Sequence, residues 1–186
     1  MWTSEAYPSG GMTMYDNWYV IQVRSGKEEE IRETCQHLIP QGIYEDCFIP
    51  KCKRMKKYRG KWEEVEEILF RGYVFMITDH IDVLFNHLKL IPDLTKVLGN
   101  DGSNILPILV DEAKSLLRFG KNNHIIEMSK GYIVGDDVEI ISGPLVDYHG
   151  KITKIDRHKR IAFIELKLFD RITTVKVGLE IISKET

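Results

Sequence analysis

The chain has 186 residues, 43% of them hydrophobic and 29% charged, with a formal net charge of −2. This is the composition of an ordinary globular protein, and its near-neutral balance means that any nucleic-acid-binding surface must come from local charge segregation. Three cysteines at irregular spacing (Cys35, Cys47, Cys52) argue against a disulfide framework and suit a reducing cytosol, and no apolar run approaches the roughly 18 residues that a membrane span needs.

Residues 1–17 lack periodicity and contain Pro8, Ser9, Gly10 and Gly11, so they read as a flexible tail. They hold no basic start followed by an apolar core, so no signal peptide is expected. Trp18 to Val23 is a strand by its aromatic and β-branched content. Ser25 with Glu28 three residues later predicts a capping box, and Ile31, Cys35, Leu38 and Ile39 then share one helical face up to Pro40. Ile43 to Pro50 reads as a second strand.

Lys51 to Lys61 contains seven basic residues among eleven and no acidic one, and Trp62 to Ile68 reverses the sign. A hairpin with its tip near Tyr58-Arg59-Gly60 lets the two arms pair across strands. Its tip lysines and arginines (Lys56, Lys57, Arg59, Lys61) are candidates for a phosphate backbone. The bland alternative is a solvated hairpin.

Leu69 to Ile77 is apolar and aromatic apart from Arg71-Gly72, and reads as a central strand covered on both faces, bent at the Arg-Gly pair. Asp79 is the expected cap of a helix carrying Ile81, Leu84, Phe85 and Leu88. Residues 92–98 are an edge strand, residues 99–102 a polar turn, and Asp111 the cap of a helix with Ala113, Leu116 and Leu117 inward. Together these make an α+β sandwich over residues 18–118. Residues 119–132, with Gly120, Asn122, Asn123, Ser129 and Gly131, read as a linker.

Residues 133–186 hold short alternating apolar runs separated by turns at Gly143-Pro144, Asp156-Arg157-His158 and Phe169-Asp170-Arg171, the pattern of a small five-stranded β-barrel. His149 to Arg160 carries five Lys or Arg against one Asp, while Asp136, Asp137, Glu139 and Asp147 lie elsewhere in the unit. A segregated basic edge suits nucleic-acid contact, and a soluble turn is the alternative.

Catalytic patterns are absent: there is no phosphate-binding GxxxxGK[ST] loop, GxGxxG, HExxH or GxSxG. Cys47, Cys52 and His37 lack the second ligand pair of a zinc site, so buried free thiols are expected. No cofactor or metal is implied, and an enzyme acting on nucleic acid has no residue group to recommend it.

Trp18-Tyr19-Val20-Ile21-Gln22-Val23-Arg24-Ser25-Gly26-Lys27-Glu28 resembles the opening strand and helix start of NusG-family transcription factors. Leu69 to Phe75 resembles their FPGYVFV strand. Gly143-Pro144-Leu145 with His149-Gly150-Lys151-Ile152, and Leu168 to Thr173, resemble the GPF…GxV and IFGRxT segments of their KOW domain. The resemblance implies an NGN-type sandwich followed by an SH3-like KOW barrel. It implies that Tyr19, Phe70, Tyr73, Phe75 and Leu98 grip the clamp helices of RNA polymerase, and that the basic hairpin approaches non-template DNA. Arg71 stands where the family's strand has Pro, and Asp170 where its barrel turn has Gly. These departures point to a specialised branch, nearest the LoaP antiterminators, which read an RNA hairpin. The expected RNA contacts are Lys151, Lys154, Arg157, His158, Lys159, Arg160 and Arg171, with Lys167 and Lys176 secondary. The alternative is the general NusG factor, whose barrel binds Rho or a ribosomal protein at the turn around Phe169. A cytoplasmic monomer fits either.

Overall fold

Two apolar strands form the centre of the N-terminal half: β1 (Trp18–Val23) and, well along the chain, Tyr73–Ile77. A computed structural model describes residues 17–99, 104–120, 123–135, 137–146, 148, 152–169 and 171–182. All of the expected tail except Asn17, all of the turn at 99–102 except Gly99, and Asn122, Asp136, Asp147, His149, Gly150, Lys151 and Asp170 lie outside the described residues.

α1 spans Glu28–Leu38, β2 Asp46–Phe48, β3 Lys51–Tyr58, β4 Lys61–Ile68, β5 Tyr73–Ile77, α2 Ile81–Leu88, β6 Leu94–Val97 and α3 Val110–Gly120. One antiparallel sheet runs in the order β2-β5-β1-β6. Trp18, Val20 and Phe75 point to one face, and Ile21, Val23, Val74 and Met76 point to the other, where they meet residues of α1 and α2. Burial on both faces is why β1 and β5 read as continuous apolar runs.

Several sequence-level expectations shift. The central strand is Tyr73–Ile77, because Gly72 takes φ 82° and the chain turns there. Ile43 to Pro50 yields only the three-residue β2. The capping box does not form: Lys27 precedes α1 without a side-chain cap, and Glu28 folds back to accept from Gly26 N–H at 2.8 Å and Gly72 N–H at 2.7 Å. Leu38 is 58% exposed, off the apolar face that Ile31, Cys35 and Ile39 bury. Asp79 caps nothing and instead accepts from Asn17 Nδ2 at 2.8 Å. Asp111 lies inside α3, and Glu112 accepts from Leu109 N–H at 3.2 Å.

The expected hairpin is β3–β4, closed by Arg59 (φ 47°) and Gly60 (φ 87°), both left-handed as a two-residue type I′ turn requires. β7 (Ile125–Ile126) adds to it in parallel beside Lys51 and Cys52. The stretch expected as linker, 119–132, therefore holds the end of α3, β7 and the start of β8 (Ser129–Val134). β9 (Asp137–Ser142), β10 (Ile152–Asp156), β11 (Ile161–Leu168) and β12 (Arg171–Ile181) complete a five-stranded unit ordered β10-β11-β12-β8-β9. Its interior is Ile140, Leu145, Ala162, Ile164, Leu166, Val175, Val177 and Leu179.

The barrel is docked on the sandwich, and one apolar cluster runs through both. β12 lies against β3: the Cys52 thiol donates to the Lys176 carbonyl at 3.3 Å, and Gly178 approaches the Lys53 backbone so closely that a Cβ there would stand 2.4 Å from the Lys53 carbonyl oxygen. Arg160 of the barrel lies 4.6 Å from the Trp62 ring of β4.

Candidate functional site

Of the five residues expected to grip a partner, the structure brings four together. Phe75 is fully buried, Phe70 packs 6.1 Å from it, and Tyr73 and Leu98 are half-buried at the same face. Tyr19 does not join them. It alternates with Trp18 and Val20 and so points to the opposite face, where burial and the charges of Asp82 and Asp79 raise its hydroxyl pKa. Phe70, Tyr73 and Leu98 line a cleft of about 370 Å³ together with Gln22 and Lys96. The other wall is the barrel: Leu168, Phe169, Arg171 and Thr173.

The hairpin separates its charges into two sets. Glu67 takes Arg54 Nη1 at 2.6 Å and also Lys56, and Lys53 bridges Glu127 at 3.0 Å and Glu64 at 3.6 Å. Burial pushes the Glu67 carboxyl up, but the Lys56 hydrogen bond and the charges of Arg54, Lys56 and Arg71 outweigh it and leave the group below the usual range. Lys57, Arg59 and Lys61 at the tip are exposed and have no ion pair among the described residues. Lys56 is thus held by the stem, and three of the four expected DNA contacts remain outward.

The candidate RNA residues fall at opposite ends of β11. Lys154, Arg157, His158 and Lys159 are exposed at or beside the β10–β11 turn, where Asp156 accepts from Lys159 N–H at 2.9 Å. Arg160 closes that turn at φ 55° but is half-buried, with Glu180 at 3.4 Å and Trp62 beneath it. Arg171 sits at the β11–β12 turn in the cleft, roughly 25 Å away along an eight-residue strand. Lys151 lies outside the described residues.

Two residues went unnoticed in the sequence. His124 stacks on Phe48 (centroids 3.5 Å apart) and places Nε2 3.0 Å from Asp46 Oδ2, which holds the Asp46 carboxyl below its usual range. It thereby fastens the segment before β7 to the sandwich. Trp62 of β4 is the second: it carries the Arg160 guanidinium on its ring, and its place as a lone aromatic among glutamates is the sequence signal for that contact. All three cysteines are buried and free. Burial pushes the Cys52 thiol up to about 11, while the hydrogen bond between Cys35 and Cys47 raises Cys47 and lowers Cys35.

The barrel is matched over residues 134–167 by the family model described as KOW motif, which gives the class of its C-terminal unit. Residues 16–117 match the model described as transcription termination factor nusG, and the chain belongs to the NusG family. It is a NusG-type transcription elongation and termination factor, and factors of this family are non-enzymatic regulators. The transcription termination/antitermination protein NusG of Haemophilus influenzae is 27% identical over 165 residues, covering 86% of this chain and 89% of that protein. The Bacillus subtilis protein of the same name is 26% identical over 178 residues, covering 92% and 99%. Among solved structures, one described as domain interaction in Thermotoga maritima NusG shares the fold at TM-score 0.57, with 24% identity and coverage of 87% and 93%.

Proposed function

We propose that this chain is a specialised processive antiterminator of the LoaP type. Its N-terminal domain binds the clamp helices of RNA polymerase through the apolar cleft at Phe70, Tyr73 and Leu98. The hairpin tip reaches non-template DNA, and the KOW barrel binds a hairpin in the nascent RNA. The protein acts in the cytoplasm as a monomer.

The observation that carries this reading is the different fate of the barrel's two ends. The turn with Phe169 and Arg171 walls the cleft, whereas the end with Lys154, Arg157, His158 and Lys159 stands exposed. A factor recruited through a protein at Phe169 needs the first end free, and one recruited by RNA needs the second. Duplex RNA is recognised mainly by its phosphates and 2′-hydroxyls, which a rigid lysine and arginine edge suits.

The test is binding of the full chain to structured leader RNAs and scrambled controls across a salt series, with Lys154→Ala/Arg157→Ala beside it. One hairpin is expected to bind at least tenfold above controls, and the double variant to lower the salt slope by roughly 1.5. Equal, weak binding to every RNA combined with tight binding to Rho or a ribosomal protein establishes the general NusG factor instead. The retention of Phe169 favours that second reading.

A further inference from the structure

Phe163 is an apolar residue that the barrel does not use for its core. Its neighbours Ala162 and Ile164 are fully buried inside, so alternation along β11 turns the Phe163 ring to the outer face, where it is half-buried. It belongs to neither apolar cluster of the protein. The strand register sets Lys154 of β10 on one side of it and Lys176 of β12 on the other, in a single row across the sheet. Each ammonium lies 5.7 Å from the ring centroid. Both lysines are exposed, and no ion pair joins either to a carboxylate among the described residues.

Lysine stems commonly cover an aromatic ring, and such packing explains the partial burial. It does not explain two like charges directed at one ring with no carboxylate in ion-pair contact with either, Asp156 acting on Lys154 only as a longer-range attraction shared with Lys159 and His158. A nucleotide supplies both missing parts, since a base offers a π-face to the ring and its flanking phosphates offer anions to the two ammoniums. An acidic peptide would satisfy the lysines and leave the ring face unmet. A duplex would satisfy the lysines too, but it keeps its base faces stacked inside.

We infer that Lys154, Phe163 and Lys176 form a stacking platform for an unpaired nucleotide of single-stranded RNA, the base on Phe163 and the adjoining phosphates on the two lysines. The inference rests on the reading that the barrel binds RNA, and it adds which part of the RNA is read: a loop or a flanking single strand. The platform is accessible with the barrel docked, because the contact of β12 with β3 uses the Lys176 carbonyl and leaves its side chain outside.

The experiment uses the full chain, a fluorescent oligoriboadenylate of about ten nucleotides and a blunt RNA duplex of the same length. Phe163→Leu is expected to weaken the single strand about tenfold and leave the duplex unchanged, since base–aromatic stacking is lost and the charges remain. Phe163→Trp is expected to retain the affinity, with emission quenched by the single strand and not by the duplex. Equal single-strand affinity in Phe163→Leu and the parent chain overturns the platform, and so does an equal loss on both probes. Displacement of the single strand by an oligoglutamate of equal charge overturns it as well. If the parent chain binds a hairpin and Phe163→Leu changes nothing, the platform fails alone. If the parent binds no RNA, the antiterminator reading fails with it.

Discussion

At Glu28 a carboxylate that is 2% exposed holds two glycine amides, one at the entry to α1 and one before β5. Removing it leaves both N–H groups without an acceptor and opens space beside them. Glu28→Ala is expected to lower stability by about 3 kcal/mol, read from the urea midpoint at constant slope. Glu28→Gln, which keeps one acceptor, should lose roughly half as much. A loss below about 0.5 kcal/mol in the alanine variant would show that water replaces the carboxylate. The Ser25-x-x-Glu28 spacing predicts a capping box, but the carboxylate accepts from Gly26 instead of closing one. Its second partner lies 44 positions away, and no local pattern records that.

The hairpin is the element most fully written in its own residues. A basic run, a left-handed turn at Arg59-Gly60 and an acidic run specify two arms whose charges meet. What the arms do with those charges depends on register and on a third strand. Glu67 takes Arg54 and Lys56, and Glu127 beyond β7 takes Lys53. Lys57, Arg59 and Lys61 are left for a partner. Replacing these three by Ala is expected to lower the salt slope of duplex DNA binding by up to about 2.7. Stability should stay within about 0.5 kcal/mol, because all three are exposed. An unchanged slope would reduce the tip to a solvated turn.

For the whole molecule, the docked barrel decides which surfaces are open. Phe169 and Arg171 face the same cleft as Phe70, Tyr73 and Leu98, so a partner helix entering that cleft must displace the barrel. Gly178 gives a way to test this. A methyl group there would stand 2.4 Å from the Lys53 carbonyl oxygen and 2.8 Å from Met128 Cγ, a clash with the sandwich and the segment leading to β8. Val177 and Leu179 on either side keep the barrel interior intact. Gly178→Ala is therefore expected to release the barrel, raising the radius of gyration in small-angle scattering and strengthening association with RNA polymerase. An unchanged radius with unchanged association would mean that the interface yields locally and does not gate the cleft.

Periodicity and turn chemistry were enough to read the order of the sandwich and barrel and the basic hairpin, because these depend on neighbours a few residues apart. The same local signals misplaced the ends of β2, β5 and α1, and at the last two Glu28 and Gly72 answer to each other across 44 positions. Tyr19 and Phe70 look equally suited to one pocket until strand alternation sends them to opposite faces. Arg157 and Arg171 look like one basic edge until β11 sets them at opposite ends. Whether the barrel stands apart or closes over the cleft is settled by contacts such as Cys52 to Lys176, 124 positions apart. Those contacts require both units to be folded, since each side of the interface is assembled from strands that only the completed sheets bring together.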